Sequence, residues 1–216
     1  IEDTNYSGTL TSSDVDSSSL TYSVVSQGTK GVVTINATTG AFTYVPNANA
    51  NGADSFTFKV NDGSSDSAPA NISVNITAVN DAPVGNGSAT LAAVNEDIGS
   101  DAPGATVASL FGANFSDSQD NSANTFAGVA VSSYTVDSAK GNWQYSSNGS
   151  TWSNLVSATS SAAITLKATD YLRFVPASNY NGQATALSAN LIETGGVLIT
   201  SGATVNLSGG NAQINL

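Results

Sequence analysis

The chain has no cysteine, no histidine and no methionine, and their absence excludes several kinds of chemistry. Disulfide bonds, thiol catalysis, imidazole acid–base catalysis and histidine-bound zinc all require residues that this sequence lacks. Basic residues are also scarce, since 5 lysines and arginines stand against 16 acidic residues in a chain of 216, for a net charge of -11. Nucleic acid is therefore not expected as a partner, because binding to phosphates needs clustered basic side chains.

Long apolar runs are missing as well. No stretch approaches the roughly 18 apolar residues of a membrane-spanning helix, so we expect no membrane insertion. The chain opens at Ile1 with neither a methionine nor a charged and then apolar leader, which we interpret as a fragment of a longer protein.

Oxygen-bearing side chains are abundant instead. The acidic residues are 13 aspartates and 3 glutamates, and aspartate favours caps, turns and loops over helix interiors. Carboxylates, amides and backbone carbonyls are the ligands of hard cations, so Ca²⁺ is the metal that this composition favours.

Strand patterns recur at short intervals through the first 80 residues. β-Branched and aromatic residues are grouped, or alternate with polar ones, in residues 20–25, 31–35, 41–45, 55–60 and 71–77. Such patterns are typical of antiparallel strands with one buried face. With short strands near Ile1 and Leu10 the count reaches about seven, which is the number typical of a β-sandwich.

An internal repeat divides the chain into two modules. The motif Val-Pro-x-x-Asn-x-Asn-Gly begins at Val45 and, 130 residues later, at Val175. Three shorter echoes keep the same order at smaller offsets: Glu2-Asp3 with Glu96-Asp97, Ser13-Asp14 with Ser116-Asp117, and Lys30-Gly31 with Lys140-Gly141.

The repeat predicts an all-β fold of two tandem antiparallel β-sandwich domains, Ig-like or cadherin-like, in an elongated arrangement. The first domain is expected at residues 1–81 and the second, enlarged one at residues 82–216. Pro83 should keep the connection between them short and stiff. Gly52 or Gly182 should take the positive φ of the turn in the repeated motif.

Aromatic residues of the second module allow two interpretations. Asn148 and Gly149 predict a hairpin with a type I′ turn that sets Tyr145 opposite Trp152. These rings and Trp143 would fill the core as cross-strand pairs. Alternatively, exposed indoles would stack on sugars and make this module a carbohydrate-binding module for a polysaccharide.

The acids sort to the ends of the predicted sandwiches when successive strands run alternately up and down. Three groups result, namely the top rim of the first domain, its bottom with the linker, and the top rim of the second domain. Their members are Asp14, Asp16 and Asp62; Glu2, Asp54, Asn80 and Asp81; and Asp117, Asp120 and Glu193.

The second and third groups should face each other across one junction. Carboxylates about 4 Å apart repel by roughly 4 kcal/mol per pair at an effective dielectric near 20, and a divalent ion with six to eight oxygen ligands would relieve that repulsion. For Asp14 and Asp16 a solvated Asx turn is the simpler alternative, and for Asn80 and Asp81 it is an ordinary turn before Pro83.

Six motifs follow one another in the first module: Glu-Asp, Ser-Asp-x-Asp, Leu-Thr-Tyr-Ser, Thr-Gly-Ala-Phe-Thr-Tyr, Val-Asn-Asp-Gly and Val-Asn-Asp-Ala-Pro. This order resembles the bacterial cadherin-like repeats of large secreted adhesins and, more distantly, animal cadherins. Residues 84–216 resemble a second, longer repeat type of the same bacterial proteins.

The resemblance implies a calcium-binding module in which Ca²⁺ makes the junction rigid. It implies an extracellular or bacterial cell-surface location and a role in adhesion or as a stalk, with neighbouring repeats as partners and a cell-surface or polysaccharide ligand as a further one. Six residues match ligand positions of the family: Glu2, Asp14, Asp16, Asp62, Asn80 and Asp81. An enzyme is not expected, because a glycosidase needs two carboxylates flanking a cleft and these acids sort to the domain ends.

Overall fold

A computed structural model describes residues 1–120, 124–195 and 199–208, and in it the chain is built almost entirely of antiparallel strands. This confirms the all-β fold. The chain divides into two compact units, Ile1–Val79 and Asn80–Leu216. Within the described residues, no helix is both long enough and apolar enough to cross a membrane.

The first unit has six strands in two three-stranded sheets. They are β1 (Tyr6–Thr9), β2 (Thr21–Ser26), β3 (Gly31–Ile35), β4 (Ala41–Pro46), β5 (Gly52–Asn61) and β6 (Ala70–Ile76). The sheet orders are β1-β4-β3 and β2-β5-β6, with antiparallel pairing throughout. The expected strand at Ile1 is not formed, because Glu2 and Asp3 lie in a turn.

The two sheets of the first unit enclose an aromatic core. Phe42 and Tyr44 of β4 point inward at alternate positions and meet Phe56 of β5, with ring centroids 5.6 and 6.5 Å apart. All three side chains are buried, and full burial of a Phe contributes about 1.5–3 kcal/mol. The alternation seen in the sequence is therefore the inner face of a sandwich.

The second unit is larger and has ten strands. They are β7 (Val84–Gly85), β8 (Ala105–Thr106), β9 (Phe115–Ser116), β10 (Phe126–Ser133), β11 (Gly141–Ser146), β12 (Ser153–Asn154), β13 (Ala163–Lys167), β14 (Tyr171–Pro176), β15 (Ser188–Glu193) and β16 (Thr204–Val205). They form the sheets β15-β10-β13-β16 and β12-β11-β14-β8 and the two-stranded ribbon β7-β9. One short helix, α1 (Val107–Phe111), begins where the Thr106 hydroxyl accepts a hydrogen bond from the Ser109 N–H.

The central strands of the second unit are covered on both faces. Val129 and Leu166 pack in the main core, whereas Ala130 and Ala163 face a second cluster that contains Leu207. β13 is therefore buried at four consecutive residues and shows no alternation. This extra layer accounts for part of the length that the second unit has gained.

The internal repeat has a structural counterpart. Asp3 and Asp97 both have positive φ, at 55° and 59°, as do Asn49 at 56° and Asn179 at 59°. Asp3 accepts a hydrogen bond from the Asn49 N–H at 3.1 Å, and Asp97 accepts the equivalent bond from Asn179 at 2.8 Å. Gly52 has the expected positive φ of 86°. In both units, therefore, the same aspartate clamps the same loop.

The predicted register of the second unit's hairpin is wrong. Tyr145 pairs with Ser153 and not with Trp152. A type I′ turn needs positive φ at both central residues, but of Asn148 and Gly149 only the glycine has it. The Asn148 side chain instead accepts hydrogen bonds from the N–H groups of Ser150 and Thr151 at 2.9 and 2.8 Å, which widens the connection.

Candidate metal centre

Three carboxylates meet at one rim of the second unit. Asp117 directly follows β9, Asp120 lies in the turn beyond it, and Glu193 is the last residue of β15, where it pairs with Phe126. One oxygen from each carboxylate lies within 4.8 Å of the others. Across the described ranges this is the only group of three acidic side chains so closely spaced.

The segment that opens the second unit covers this rim. The Asn80 amide donates a hydrogen bond to Glu193 Oε1, and the Asp81 N–H donates one to Asp120 Oδ1 at 2.8 Å. The Asn124 amide in turn donates to Asn80 Oδ1 at 2.6 Å. Asn80 and Asp81 thus lie directly against the three carboxylates.

Two of the carboxylate oxygens are buried without a hydrogen-bond donor. Asp117 is 5% exposed and Glu193 is 1% exposed. Asp117 Oδ2 accepts from the Asn124 N–H and Glu193 Oε1 from Asn80, but Asp117 Oδ1 and Glu193 Oε2 have no donor among the described residues. A buried acceptor without a donor costs about 1–3 kcal/mol, and more when it is charged.

The electrostatics of the rim make this cost larger. Like charges 4.8 Å apart repel by about 3.5 kcal/mol at an effective dielectric near 20. Burial, together with the charges of Asp117 and Asp120, raises the pKa of Glu193 despite its hydrogen bonds to Asn80 and Asn124. Neither of the two ion pairs found within the described residues involves these acids.

The donor set fits a hard divalent cation. The oxygen spacing is compatible with an ion that takes oxygen ligands at about 2.3–2.6 Å on all sides. Asp117, Asp120 and Glu193 could supply carboxylate oxygens, and Asn80 could supply an amide oxygen. A cation held among them would satisfy both buried oxygens and cancel the repulsion.

The equivalent acids of the first unit are arranged differently. Asp14 and Asp16 are exposed and Asp62 is partly so. Asp14 Oδ1 accepts from the N–H groups of Asp16 and Ser17 at 3.1 and 2.9 Å, which is the Asx turn weighed above. Asp62 Oδ1 likewise accepts from two N–H groups of its own turn.

These acids of the first unit influence one another electrostatically. The hydrogen bond between Asp14 and Asp16 raises the pKa of Asp16 and lowers that of Asp14. Hydrogen bonds from the Ser65 and Ser64 N–H groups lower the pKa of Asp62. The structure thus brings these three acids to one rim, without the close grouping of the second unit.

Glu2 and Asp54, the other predicted ligands, accept hydrogen bonds inside the first unit. Glu2 is 3% exposed and accepts from the Val79 N–H and, at 3.3 Å, from the Asn51 amide. Asp54 accepts from the Tyr44 hydroxyl at 2.5 Å and from the Thr29 N–H at 2.9 Å. Burial opposes ionisation of Asp54, yet these bonds hold its pKa well below the usual range. Their roles as metal ligands stay predictions.

Asn124 is the site residue that sequence reasoning missed. It donates to Asp117 through its backbone and to Asn80 through its side chain. Asparagine is so frequent in this chain that one more Asn gives no signal. Its position seven residues after Asp117 becomes meaningful only when the loop is seen to return to the rim.

The two tryptophans of the second unit are packed inside it. Trp143 is 8% exposed, stacks edge-on against Phe174 and donates its indole N–H to the Thr185 carbonyl at 2.7 Å. Trp152 is half-buried, with the Arg173 guanidinium 3.9 Å from its ring centroid. Trp143 is therefore a core residue, and one ring face of Trp152 is already covered.

Comparison with known proteins bears on the first unit. No curated protein and no solved structure matches the chain significantly. The bacterial cadherin-like domain is a structural and adhesion module and not an enzyme family. Residues 1–78 match the family model described as the bacterial cadherin-like domain, which confirms for this part of the chain the resemblance inferred from its motifs.

Proposed function

We propose that the second unit binds Ca²⁺ through Asp117, Asp120 and Glu193, with Asn80 and Asp81 completing the ligand set. The observation that carries this proposal is the pair of buried carboxylate oxygens, Asp117 Oδ1 and Glu193 Oε2, that have no donor in the described part of the chain. Two such oxygens within one group of three acids call for a cation.

Calcium suits this site better than the other common divalent ions. Zinc and the later transition metals favour nitrogen and sulfur ligands, whereas these ligands are all oxygens. Mg²⁺ demands nearly ideal octahedral geometry and keeps several waters, whereas Ca²⁺ accepts six to eight oxygens in irregular geometry. Backbone carbonyls and water would complete the shell.

Binding would act on the segment that connects the two units. Asn80 and Asp81 directly follow Val79, the last residue of the first unit. With the ion present, attraction replaces the repulsion among the carboxylates and holds these residues against the second unit. Without it, repulsion weakens their hydrogen bonds, and the connection gains freedom.

This mechanical role fits a repeat module of a large bacterial adhesin, secreted or attached to the cell surface. The match of residues 1–78 to the bacterial cadherin-like domain supports this context. In it, the neighbouring repeats of the same chain are the partners, and calcium sets the stiffness of the rod that they build.

Calorimetric titration with Ca²⁺, accompanied by thermal melts, tests this proposal. Wild-type protein should bind at least one Ca²⁺ per chain with a dissociation constant of about 10⁻⁴ to 10⁻³ M or tighter, and bind Mg²⁺ more weakly. Asp117→Asn should lose this site, whereas Asp137→Asn, which removes an acid outside the group in the same unit, should keep it. Identical melts in 5 mM EDTA and in excess Ca²⁺ would contradict the proposal.

A further inference from the structure

An open groove runs along one side of the first unit, between the edges of its two sheets. It has a volume of about 500 Å³ and is lined by Tyr6 from one sheet, by Ile72 and Val74 of β6 from the other, and by the core residues Phe42 and Tyr44. Tyr6 is 61% exposed, and Ile1 at one end of the groove is 67% exposed. The aromatic core is therefore reachable from this side.

Both strands that border the groove have a free edge. Of the described strands, β1 pairs only with β4 and β6 only with β5. β6 is seven residues long and has no charge, no proline and no bulge. Natural sheets usually protect such an edge with one of these devices, so this edge is suited to pairing with another strand.

The second unit shows what covers the corresponding part of its own core. Asp3 and Asp97 clamp equivalent loops, so the residues before Glu96 correspond to a stretch leading into Glu2. In the second unit this stretch places Leu91 against the main core. Residues 88–94 read Ser-Ala-Thr-Leu-Ala-Ala-Val and carry no charge.

We propose that the groove of the first unit accepts one further β-strand, which leads directly into Ile1 and has the uncharged, apolar chemistry of residues 88–94. The Glu2 N–H already donates to the Thr77 carbonyl at 2.9 Å, which places the beginning of the chain beside the end of β6. β6 runs towards this point and β1 runs away from it. The added strand is therefore parallel to β6 and antiparallel to β1.

The strand that fits here is defined by its chemistry. Side chains on one of its faces meet Phe42, Tyr44 and Val74, so these positions take Leu, Val or Ala. Its backbone bonds to the free edge of β6, which supplies affinity independent of sequence. A charged residue facing the groove is excluded, because it would be buried beside aromatic rings without a partner.

A fusion that places a copy of residues 88–94 directly ahead of Ile1 in the full chain tests this proposal. The matched control is the same fusion with Leu91→Asp in the added copy. Amide hydrogen exchange at Ile72 and Val74, followed by NMR, reports whether the edge of β6 becomes bonded. The expected result is exchange slowed by about tenfold at these amides in the fusion and unchanged in the control.

The second unit provides an internal reference, since exchange at Val129 and Val131 should be the same in all samples. Equal exchange at Ile72 and Val74 in the fusion, the control and the original chain would overturn the proposal, as would equal slowing by both fusions. A free peptide of residues 88–94 should protect β6 only at millimolar concentration. Protection by the free peptide without protection in the fusion would assign the groove to a separate partner and overturn the connection to Ile1.

Discussion

The two units place acidic residues at matching positions of matching strands, but only one of the two sets is buried. In the first unit, Asp14 precedes β2 and Asp62 follows the paired strand β5. In the second, Asp117 precedes β10 and Glu193 ends the paired strand β15. Asp117 and Glu193 are 5% and 1% exposed, whereas Asp14 is fully at the surface.

The difference lies in what completes each carboxylate. Asp14 and Asp62 are bonded by the N–H groups of their own turns and remain in contact with water. Asp117 and Glu193 lie beneath Asn80, and each keeps one oxygen without a donor. The acids are thus provided by the repeat, but the covering segment turns them into a site with a missing cation.

Glu193→Gln should have the largest effect on the response to calcium. At about 100 times the dissociation constant, Ca²⁺ contributes about 2.7 kcal/mol to the free energy of unfolding, or roughly 5–10 °C in melting temperature, and the variant should lose this gain. In EDTA at pH 7 the variant should melt higher than wild-type, because a buried charge has been removed. Scanning calorimetry in both buffers measures the two signs.

The control for this prediction is Asp14→Asn, which changes the equivalent rim of the first unit and should keep most of the calcium gain. If Glu193→Gln lowers the melting temperature equally in EDTA and in calcium, Glu193 serves packing alone. The contrast between the two units would then have no bearing on metal binding.

The raised pKa of Glu193 should make the calcium gain depend on pH. Without metal, the folded unit binds more protons than the unfolded chain just above the ordinary pKa of 4.5. Stability in EDTA should therefore fall as the pH rises through the raised pKa, and the gain from Ca²⁺ should grow over the same window. Melts at several values between about pH 4 and pH 7 measure both slopes, which Glu193→Gln should flatten. A gain of the same size at both ends of this range would contradict the prediction.

Most strands of the first unit could be predicted from the sequence, because each of its sheets has one buried face and the side chains alternate. Residues 31–35 were expected as a strand, and β3 spans Gly31–Ile35. The same signal is absent in β13, which is covered on both sides. The hairpin register failed because a side chain, Asn148, sets the length of the connection, and no pattern of apolar residues reports it.

The candidate site could be predicted in its acids and not in its completeness. Asp117, Asp120 and Glu193 followed from the direction of successive strands and do meet in space. Whether a carboxylate has a donor depends on backbone N–H groups that are remote in sequence. Asp54 receives four hydrogen bonds from Tyr44, Thr29 and Lys30, and no sequence motif announces them.

Asn80→Ala should weaken calcium binding by about fivefold, which corresponds to one neutral ligand or hydrogen bond worth about 1 kcal/mol. The amide bridges Glu193 and Asn124, so its loss also loosens the cover over the carboxylates. Calorimetric titration of the variant measures the change in affinity. Asn71→Ala, which removes an exposed amide from β6, is the matched control. An unchanged affinity for Asn80→Ala would remove the covering segment from the site.

Asp54→Asn should have the smallest effect on calcium binding, and it sharpens the comparison between a satisfied carboxylate and an unsatisfied one. Asp54 has a lowered pKa because donors surround it, whereas burial raises the pKa of Glu193. The variant should lower the stability of the first unit by about 1–2 kcal/mol at pH 7 through weaker hydrogen bonds, and leave the calcium affinity unchanged.

The pH dependence of Asp54→Asn should have the sign opposite to that of Glu193→Gln. A lowered pKa contributes stability above the ordinary value of 3.8, and this contribution is lost as the pH falls towards the pKa of the folded state. The stability difference between wild-type and Asp54→Asn should therefore be constant from pH 7 to about pH 4 and shrink below that. Urea unfolding at these pH values, followed in the first unit by tyrosine fluorescence, measures the difference. A loss of calcium affinity in Asp54→Asn would restore this residue as a ligand, because hydrogen bonds within the first unit alone give it no reason to sense the ion.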